Sequence, residues 1–242
     1  MELLQPSSLA EIDGGLAIHG GTEVVPLLRD GILEADRLVD IRGVVPRGVD
    51  GNTIGAGTTL AELEAGTTIP AALREACTLA ASPQLRNMSS LGGNLLQSTR
   101  CWYWRLDYPC RLHGGDRCHA REGEHREHAI FANDYCASAH PSDIAAALLA
   151  LGARVRTTKR ELPQVEASTY LKAMDRKRWS FPQVGVAAAR VGGEVRIALA
   201  GVAPIPWLLG PDGLDAATPL PRTAWKVQVA RALVARATSQ LA

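Results

Sequence analysis

ASPQLRNMSSLGGNL, residues 81–95, holds a small, hydroxyl-rich turn, Ser89-Ser90-Leu91-Gly92-Gly93-Asn94, directly after a helical run that Ile69-Pro70 opens and that continues through Ala81. Glycine lets backbone N–H groups approach an anion closely and reach the positive φ of an anion-binding nest. Ser90 and Asn94 can add side-chain hydrogen bonds to a phosphate. A second such turn lies upstream, where strand-like Leu16-Ala17-Ile18 runs into His19-Gly20-Gly21-Thr22 and then into a helix-compatible stretch, residues 23–29. Pro26 falls in that helix's first turn, where a missing N–H costs little. Taken singly, a Gly-Gly pair is more often simply a tight turn. Neither completes a G-x-G-x-x-G or Walker pattern, so a Rossmann or P-loop site is not supported.

Outward from these turns the pattern is mixed α and β. Residues 37–41 and 52–56 read as short strands, and Thr59 caps a short helix. His140-Pro141-Ser142-Asp143 caps an alanine/leucine helix ending near Gly152. Residues 157–167 are polar and read as a linker, with a domain boundary near residue 158. Two β-like runs follow, residues 184–191 and 194–200, joined by Gly192-Gly193, a two-residue hairpin signal. The closing helix, residues 223–241, repeats Val227, Val229, Ala230, Leu233 and Val234 at helical spacing.

The 242 residues are 46% apolar and 21% charged with a formal charge of +1, as in an ordinary globular protein and without the basic field of a nucleic-acid binder. The N-terminus lacks the basic and apolar regions of a signal peptide. The longest apolar run, residues 144–151, is far short of the ~20 residues of a membrane span. The expectation is a cytoplasmic protein, or one exported with a signal-bearing partner. Cysteines there are thiols or metal ligands rather than disulfides.

Residues 100–136 differ from their surroundings: they hold four of the five cysteines and four of the six histidines, with Trp102-Tyr103-Trp104 and little apolar periodicity. Such a stretch needs something besides hydrophobic burial to order it. Cys101, Cys110, Cys118 and Cys136 are separated by eight, seven and seventeen residues, neither zinc-finger nor ferredoxin spacing. A four-thiolate site and scattered thiols both fit that spacing. The polar context favours the site, because structural free cysteines usually sit in cores, as Cys77 does in its alanine/leucine helix. His113, His119, His125 and His128 form no H-E-x-x-H pair, and no nucleophile with a partnered base is present. They read as loop residues, some of them hydrogen-bonded near a cluster, and no catalytic residue is assigned.

Together these segments resemble the FAD-binding subunits of the xanthine dehydrogenase/carbon monoxide dehydrogenase flavoprotein family. Ala17-Ile18-His19-Gly20-Gly21-Thr22-Glu23-Val24-Val25-Pro26-Leu27-Leu28-Arg29 resembles the first FAD-pyrophosphate loop and residues 81–95 the second. His140-Pro141-Ser142-Asp143-Ile144 and Tyr170-Leu171-Lys172 resemble two later landmarks, and the hairpin with its helix resembles the small C-terminal domain. The match runs in order over nearly the whole chain. It implies an α+β fold: a two-lobed FAD-binding domain of the vanillyl-alcohol-oxidase/PCMH type over residues 1–157, with a cysteine-rich insertion at 100–136. A small C-terminal domain of antiparallel sheet and helices would follow over 158–242.

By the same resemblance, Gly20, Gly21, Thr22 and Glu23, with His19 and Val24 beside them, hold one side of the pyrophosphate. Ser90, Gly92, Gly93 and Asn94 hold the other. Asp143 lies near the flavin or its ribityl chain, unless it merely caps its helix, a role for which Ser142 competes. Lys172 lies near the isoalloxazine, unless it is a solvated charge. Family members of the 4-hydroxybenzoyl-CoA reductase and periplasmic aldehyde oxidoreductase types carry a four-cysteine insertion that binds [4Fe–4S]. Arg100-Cys101-Trp102-Tyr103-Trp104-Arg105, with Cys110, Cys118 and Asp134-Tyr135-Cys136, is similar to the aldehyde oxidoreductase version. The resemblance therefore implies a [4Fe–4S] cluster rather than Zn²⁺ on these four thiolates.

The implied function is electron transfer within a heteromeric molybdenum hydroxylase, between a [2Fe–2S] small subunit and an external acceptor. A molybdenum-cofactor large subunit would oxidise an aldehyde or aromatic substrate, and no nucleic acid or membrane is expected as a partner. A stand-alone flavoprotein reductase and a zinc-stabilised, non-enzymatic interaction protein are the alternatives. One departure stands out: only fourteen residues separate Val155 from Tyr170, where relatives carry a longer stretch with additional strands near the flavin ring.

Overall fold

The computed structural model describes residues 1–155, 160–161, 165–176 and 180–241. Three short strands, β1 (Glu2–Leu4), β2 (Leu16–Ile18) and β3 (Arg37–Asp40), form a parallel sheet in the order β1-β3-β2. Parallel neighbours need a crossover connection, and α1 (Val24–Arg29) supplies it between β2 and β3. A second sheet is antiparallel, with β4 (Val49–Asp50), β5 (Thr53–Ile54), β6 (Arg154–Val155) and β7 (Arg160–Glu161) in the order β4-β5-β7-β6. The third contains β8 (Ala167–Ala173), β9 (Val184–Val191), β10 (Glu194–Ala200) and β11 (Trp207–Leu208), antiparallel in chain order. Its central hairpin pairs Val191 with Glu194 across Gly192 and Gly193, at φ 59° and 80°, the conformation that a two-residue type I′ turn requires.

The helices are α2 (Leu60–Ala65), α3 (Ala71–Ala80), α4 (Pro83–Met88), α5 (Leu91–Leu95), α6 (Trp102–Arg105), α7 (His119–Glu122), α8 (Asp143–Ala150) and α9 (Trp225–Ser239). Thr59 and Glu62 close a capping box on α2, satisfying two otherwise orphaned backbone donors. Among the described residues, no helix is long and apolar enough to cross a membrane.

The third sheet organises the core. Strand alternation sends Ala187, Ala189, Ala198 and Ala200 to one face, against Leu73 and Cys77 of α3 and Ile144, Ala147 and Leu151 around α8. Small side chains on that face let the helices lie close. The other face presents Val184, Val186, Ala188 and Leu199 to Ala230 and Ala237 of α9. Ile130 and Phe131 of the insertion join this second core.

Two sequence expectations are corrected here. The polar stretch 157–167 is not simply a linker: within it β7 pairs with β5 and β6, and Ala167 already begins β8. The backbone hydrogen bonds of Thr53 and Ile54 override the low apolarity of the segment. The boundary near residue 158 lies outside the described residues, and the first core contains side chains from both sides of it. The insertion, too, does not depend on a metal alone for order. Phe131 stacks on Trp207 at 4.9 Å, Lys226 Nζ donates to Glu127 O at 2.7 Å and Gly201 O at 2.9 Å, and Asn133 Nδ2 donates to Thr218 O at 2.9 Å. The C-terminal half of the insertion is thus anchored to the C-terminal sheet and helix.

Candidate cofactor cleft and cysteine site

The two glycine turns, about seventy residues apart in sequence, pack directly on each other. Gly20 abuts the end of α4 so closely that a Cβ there would lie 1.8 Å from the Met88 carbonyl oxygen. Thr22 Oγ1 and Ser89 Oγ are hydrogen-bonded at 3.0 Å. Of the four glycines only Gly21 has positive φ, at 70°, which corrects the expectation of two left-handed nests. Gly92 is needed for proximity instead: its N–H donates to Ala56 O at 2.8 Å, and a Cβ would meet Ala56 at 3.2 Å. Ser90 caps α5 by accepting from Gly93 N at 3.1 Å. Asn94 Oδ1 accepts from Ser142 Oγ at 2.6 Å, tying the second turn to the head of α8.

A cleft of about 470 Å³ open volume lies at this junction, lined among others by Thr22, Glu23, Ser89, Gly93, Asn94 and Arg100. His19 stands behind the first turn with its pKa lowered, chiefly by burial and then by Arg42 and Arg47. Val24 begins α1. Arg100, whose guanidinium lies 4.6 Å over the Phe181 ring, has a buried Nε with no partner among the described residues. Small residues, hydroxyls and an unspent guanidinium donor suit a phosphate-bearing cofactor such as FAD.

Asp143 and Lys172 are brought together, but with each other. Lys172 Nζ donates to Asp143 Oδ2 at 2.8 Å and to Leu79 O at 2.8 Å; the two side chains are 0% and 2% exposed. Tyr170 hydroxyl also bonds Asp143. Burial pushes the Asp143 carboxyl up, opposed by Lys172 and Tyr170. Ser142, not Asp143, caps α8, accepting from Ala145 N at 2.9 Å. The pair braces α3 from within, next to Ala80 and Ala81, which line the cleft.

Cys101, Cys110, Cys118 and Cys136 line one small pocket, together with Tyr103, Trp104 and His119. Two arginines draw the last cysteine's loop towards the others. Arg111 Nη1 donates to Asp134 O at 3.1 Å and Tyr135 O at 2.7 Å, and Arg121 Nη2 donates to Asn133 O at 3.0 Å. The sulfurs sit among donors. Cys118 receives a hydrogen bond from Cys136 and the amides of Ala137, Ala120 and Arg121, which bring its thiol down to about 5. The same contact and burial push Cys136 up. Amides of Trp104 and Tyr103 point to Cys101, and His128 Nε2 lies 3.2 Å from Cys101 Sγ.

Backbone N–H groups are aimed at three of the four sulfurs, those of Cys101, Cys118 and Cys136, which suits thiolate ligation. Among the described residues, no three His, Cys, Asp or Glu side chains gather as a site for a single ion. Cys77, by contrast, is fully buried in the first core.

The remaining histidines are spent on structure: His113 Nε2 on Trp104 O at 3.0 Å, and His125 Nδ1 on Ala120 O and Gly123 O at 2.9 and 2.8 Å. Sequence reasoning missed Arg100 and Arg105 as functional residues. Both pair with Glu23 at 2.7 Å, and their only signal was that they bracket α6 directly beside Cys101.

Residues 6–181 match the family described as the FAD binding domain in molybdopterin dehydrogenase. The chain is 32% identical to the aldehyde oxidoreductase FAD-binding subunit PaoB of Escherichia coli strain K12, over 83% of this chain and 78% of that protein. It shares its fold with quinoline 2-oxidoreductase from Pseudomonas putida 86, at a TM-score of 0.60 and 17% identity, covering 99% of this chain and 96% of the other. A match of this length around two packed glycine turns places the chain in the family of FAD-binding domains of molybdopterin dehydrogenases, as an oxidoreductase subunit.

Proposed function

We propose that this chain is the FAD- and [4Fe–4S]-containing electron-transfer subunit of a heteromeric molybdenum hydroxylase acting on an aldehyde or aromatic substrate. Its partners are a molybdenum-cofactor large subunit and a [2Fe–2S] small subunit, from which electrons pass through this chain to an external acceptor. One observation carries the reading: a glycine-turn cleft and a four-cysteine cavity lie in one chain, with Arg100 lining the first and preceding Cys101 of the second. The similarity to PaoB supports an aldehyde as substrate class.

When bound, FAD supplies the exchange between single-electron carriers and a final acceptor, and the cluster supplies a relay beside it. The chain's own residues hold and tune. Gly20, Gly21, Thr22, Glu23 and Val24, backed by His19, form one wall of the pyrophosphate site; Ser90, Gly92, Gly93 and Asn94 form the other. Asp143, near the flavin or its ribityl chain, and Lys172, near the isoalloxazine, fix the floor of the site through their own pairing. Cys101, Cys110, Cys118 and Cys136 ligate the cluster, and the hydrogen bonds around the Cys118 sulfur favour its thiolate form. We assign residues 1–157, with the insertion 100–136, to holding cofactors, and residues 158–242 to the C-terminal unit that completes both cores.

The test is direct. The purified chain should show flavin bands plus a broad iron–sulfur shoulder bleached by dithionite, with four irons and one FAD per chain. Cys118→Ser should remove the iron while retaining FAD. A colourless, zinc-containing protein sinks the reading, and four irons retained in Cys118→Ser sinks the ligand assignment.

A further inference from the structure

Glu23 ends the first glycine turn, yet its carboxylate is spent on the segment that enters the insertion. Oε1 accepts from Arg105 Nη2 at 2.7 Å and from the Ser98 amide at 3.1 Å, while Oε2 pairs with Arg100 Nη2 at 2.7 Å. The two arginines bracket α6, and Cys101 is the residue at its N-cap. Arg105 is itself fixed, with Nε donating to Thr99 O at 3.0 Å and the guanidinium 5.2 Å over the Trp104 ring. Arg100 lines the glycine-turn cleft and also a second cavity that reaches Cys101 and His128.

The clamp is largely withdrawn from water: the side chains of Glu23, Arg105 and Arg100 are 16%, 18% and 29% exposed. Ion pairs so placed are weakly screened, and removing one partner leaves a charge uncompensated. Two guanidinium groups also face one carboxylate, which leaves positive charge where a pyrophosphate would lie.

We propose that Glu23 is a positioning residue that couples the glycine-turn cleft to the cysteine site. A phosphate-bearing cofactor seated on the first turn holds the Glu23–Arg100–Arg105 clamp in place, and the clamp holds Cys101 at the head of α6. Such coupling is reciprocal, so the state of the cysteines also sets the affinity of the cleft. The proposal rests on the flavin reading above.

The test needs no metal. In the full chain, freed of flavin and metal, the rate of iodoacetamide labelling at Cys101 is followed by peptide mass spectrometry with and without saturating FAD. FAD should slow labelling about fivefold or more in the wild-type chain, the low end of ordinary coupling between sites. In Glu23→Gln, at an FAD concentration that saturates the variant by flavin fluorescence, the two rates should agree. Arg105→Gln breaks the clamp from its other side and should do the same, and Glu23→Asp should restore part of the effect. Buried Cys77 should stay unlabelled in each, reporting an intact fold. FAD bound to the wild-type chain without change at Cys101 overturns the proposal. So does full protection retained in both clamp variants, which would mean that FAD merely shields the thiol. A wild-type chain that leaves flavin fluorescence unchanged overturns the flavin reading, and this proposal with it.

Discussion

The glycine-turn cleft and the cysteine insertion are neighbours built on opposite principles. The cleft is made by backbone approaching backbone: Gly20 against Met88 and Gly92 against Ala56, with no room for a side chain at the first contact. Its shape is therefore set before any ligand arrives. The insertion is made by side chains reaching for backbone: Arg111 and Arg121 hold carbonyls across the loop, while Asn133 on Thr218 O and Lys226 on Glu127 O tie the insertion to the C-terminal segment. Short helices of four residues contribute little by themselves, so this region relies on borrowed anchors. The lesson is that a cleft of packed backbone and a loop held by borrowed anchors can share a border while responding differently to the same kind of damage.

Mutations can sharpen that contrast. The largest effect is expected from Gly20→Ala. The added methyl would overlap the Met88 carbonyl, and because backbone cannot yield as a side chain can, stability should fall by at least ~3 kcal/mol and FAD content should collapse. Gly43→Ala meets nothing within 4 Å and should stay within ~0.5 kcal/mol. Urea denaturation and flavin content check both; an FAD-replete, stable Gly20→Ala breaks the account of the cleft.

Next in size is Phe131→Ala, which removes a ring that is 1% exposed and stacked on Trp207. The expected cost is ~3–5 kcal/mol. Iron content should suffer more than FAD affinity, because the anchor belongs to the insertion and not to the cleft. Equal losses of both would show that the two regions are one cooperative unit.

The smallest effect is one of pH. Burial holds Lys226 down to about 7, against ~10.4 in an unfolded chain. Between those values the unfolded chain carries a proton that the folded chain lacks, so stability gains with rising pH. The burial cost is full below pH ~7 and is relieved towards pH ~10. Lys226→Met removes that dependence, so the stability difference between wild type and variant should shift by ~1–3 kcal/mol in favour of wild type from pH 7 to 9. Denaturant titrations at the two pH values measure it, and a constant difference would show that Lys226 keeps its charge when buried.

Short-range signals in the chain set many of the elements and the chemistry on offer. The Gly192-Gly193 hairpin, the Thr59 cap and the Pro70 helix start are local signals, carried by residues within a few positions of one another, and each appears where its residues require. The two glycine turns and the four clustered cysteines were legible for the same reason: composition alone marks them as unlike a plain core. How these pieces are used was settled by folding. It made Gly20 and Gly92 points of close contact rather than left-handed turns, because what stands opposite them, Met88 and Ala56, comes from distant chain. It paired Asp143 with Lys172, since only folding brings α8 and β8 together. It made Glu23 a bridge to Arg100 and Arg105, across more than seventy residues that no sequence periodicity could relate. Local propensity acts over a few residues, whereas charge pairing and steric exclusion act on whatever the fold places within reach.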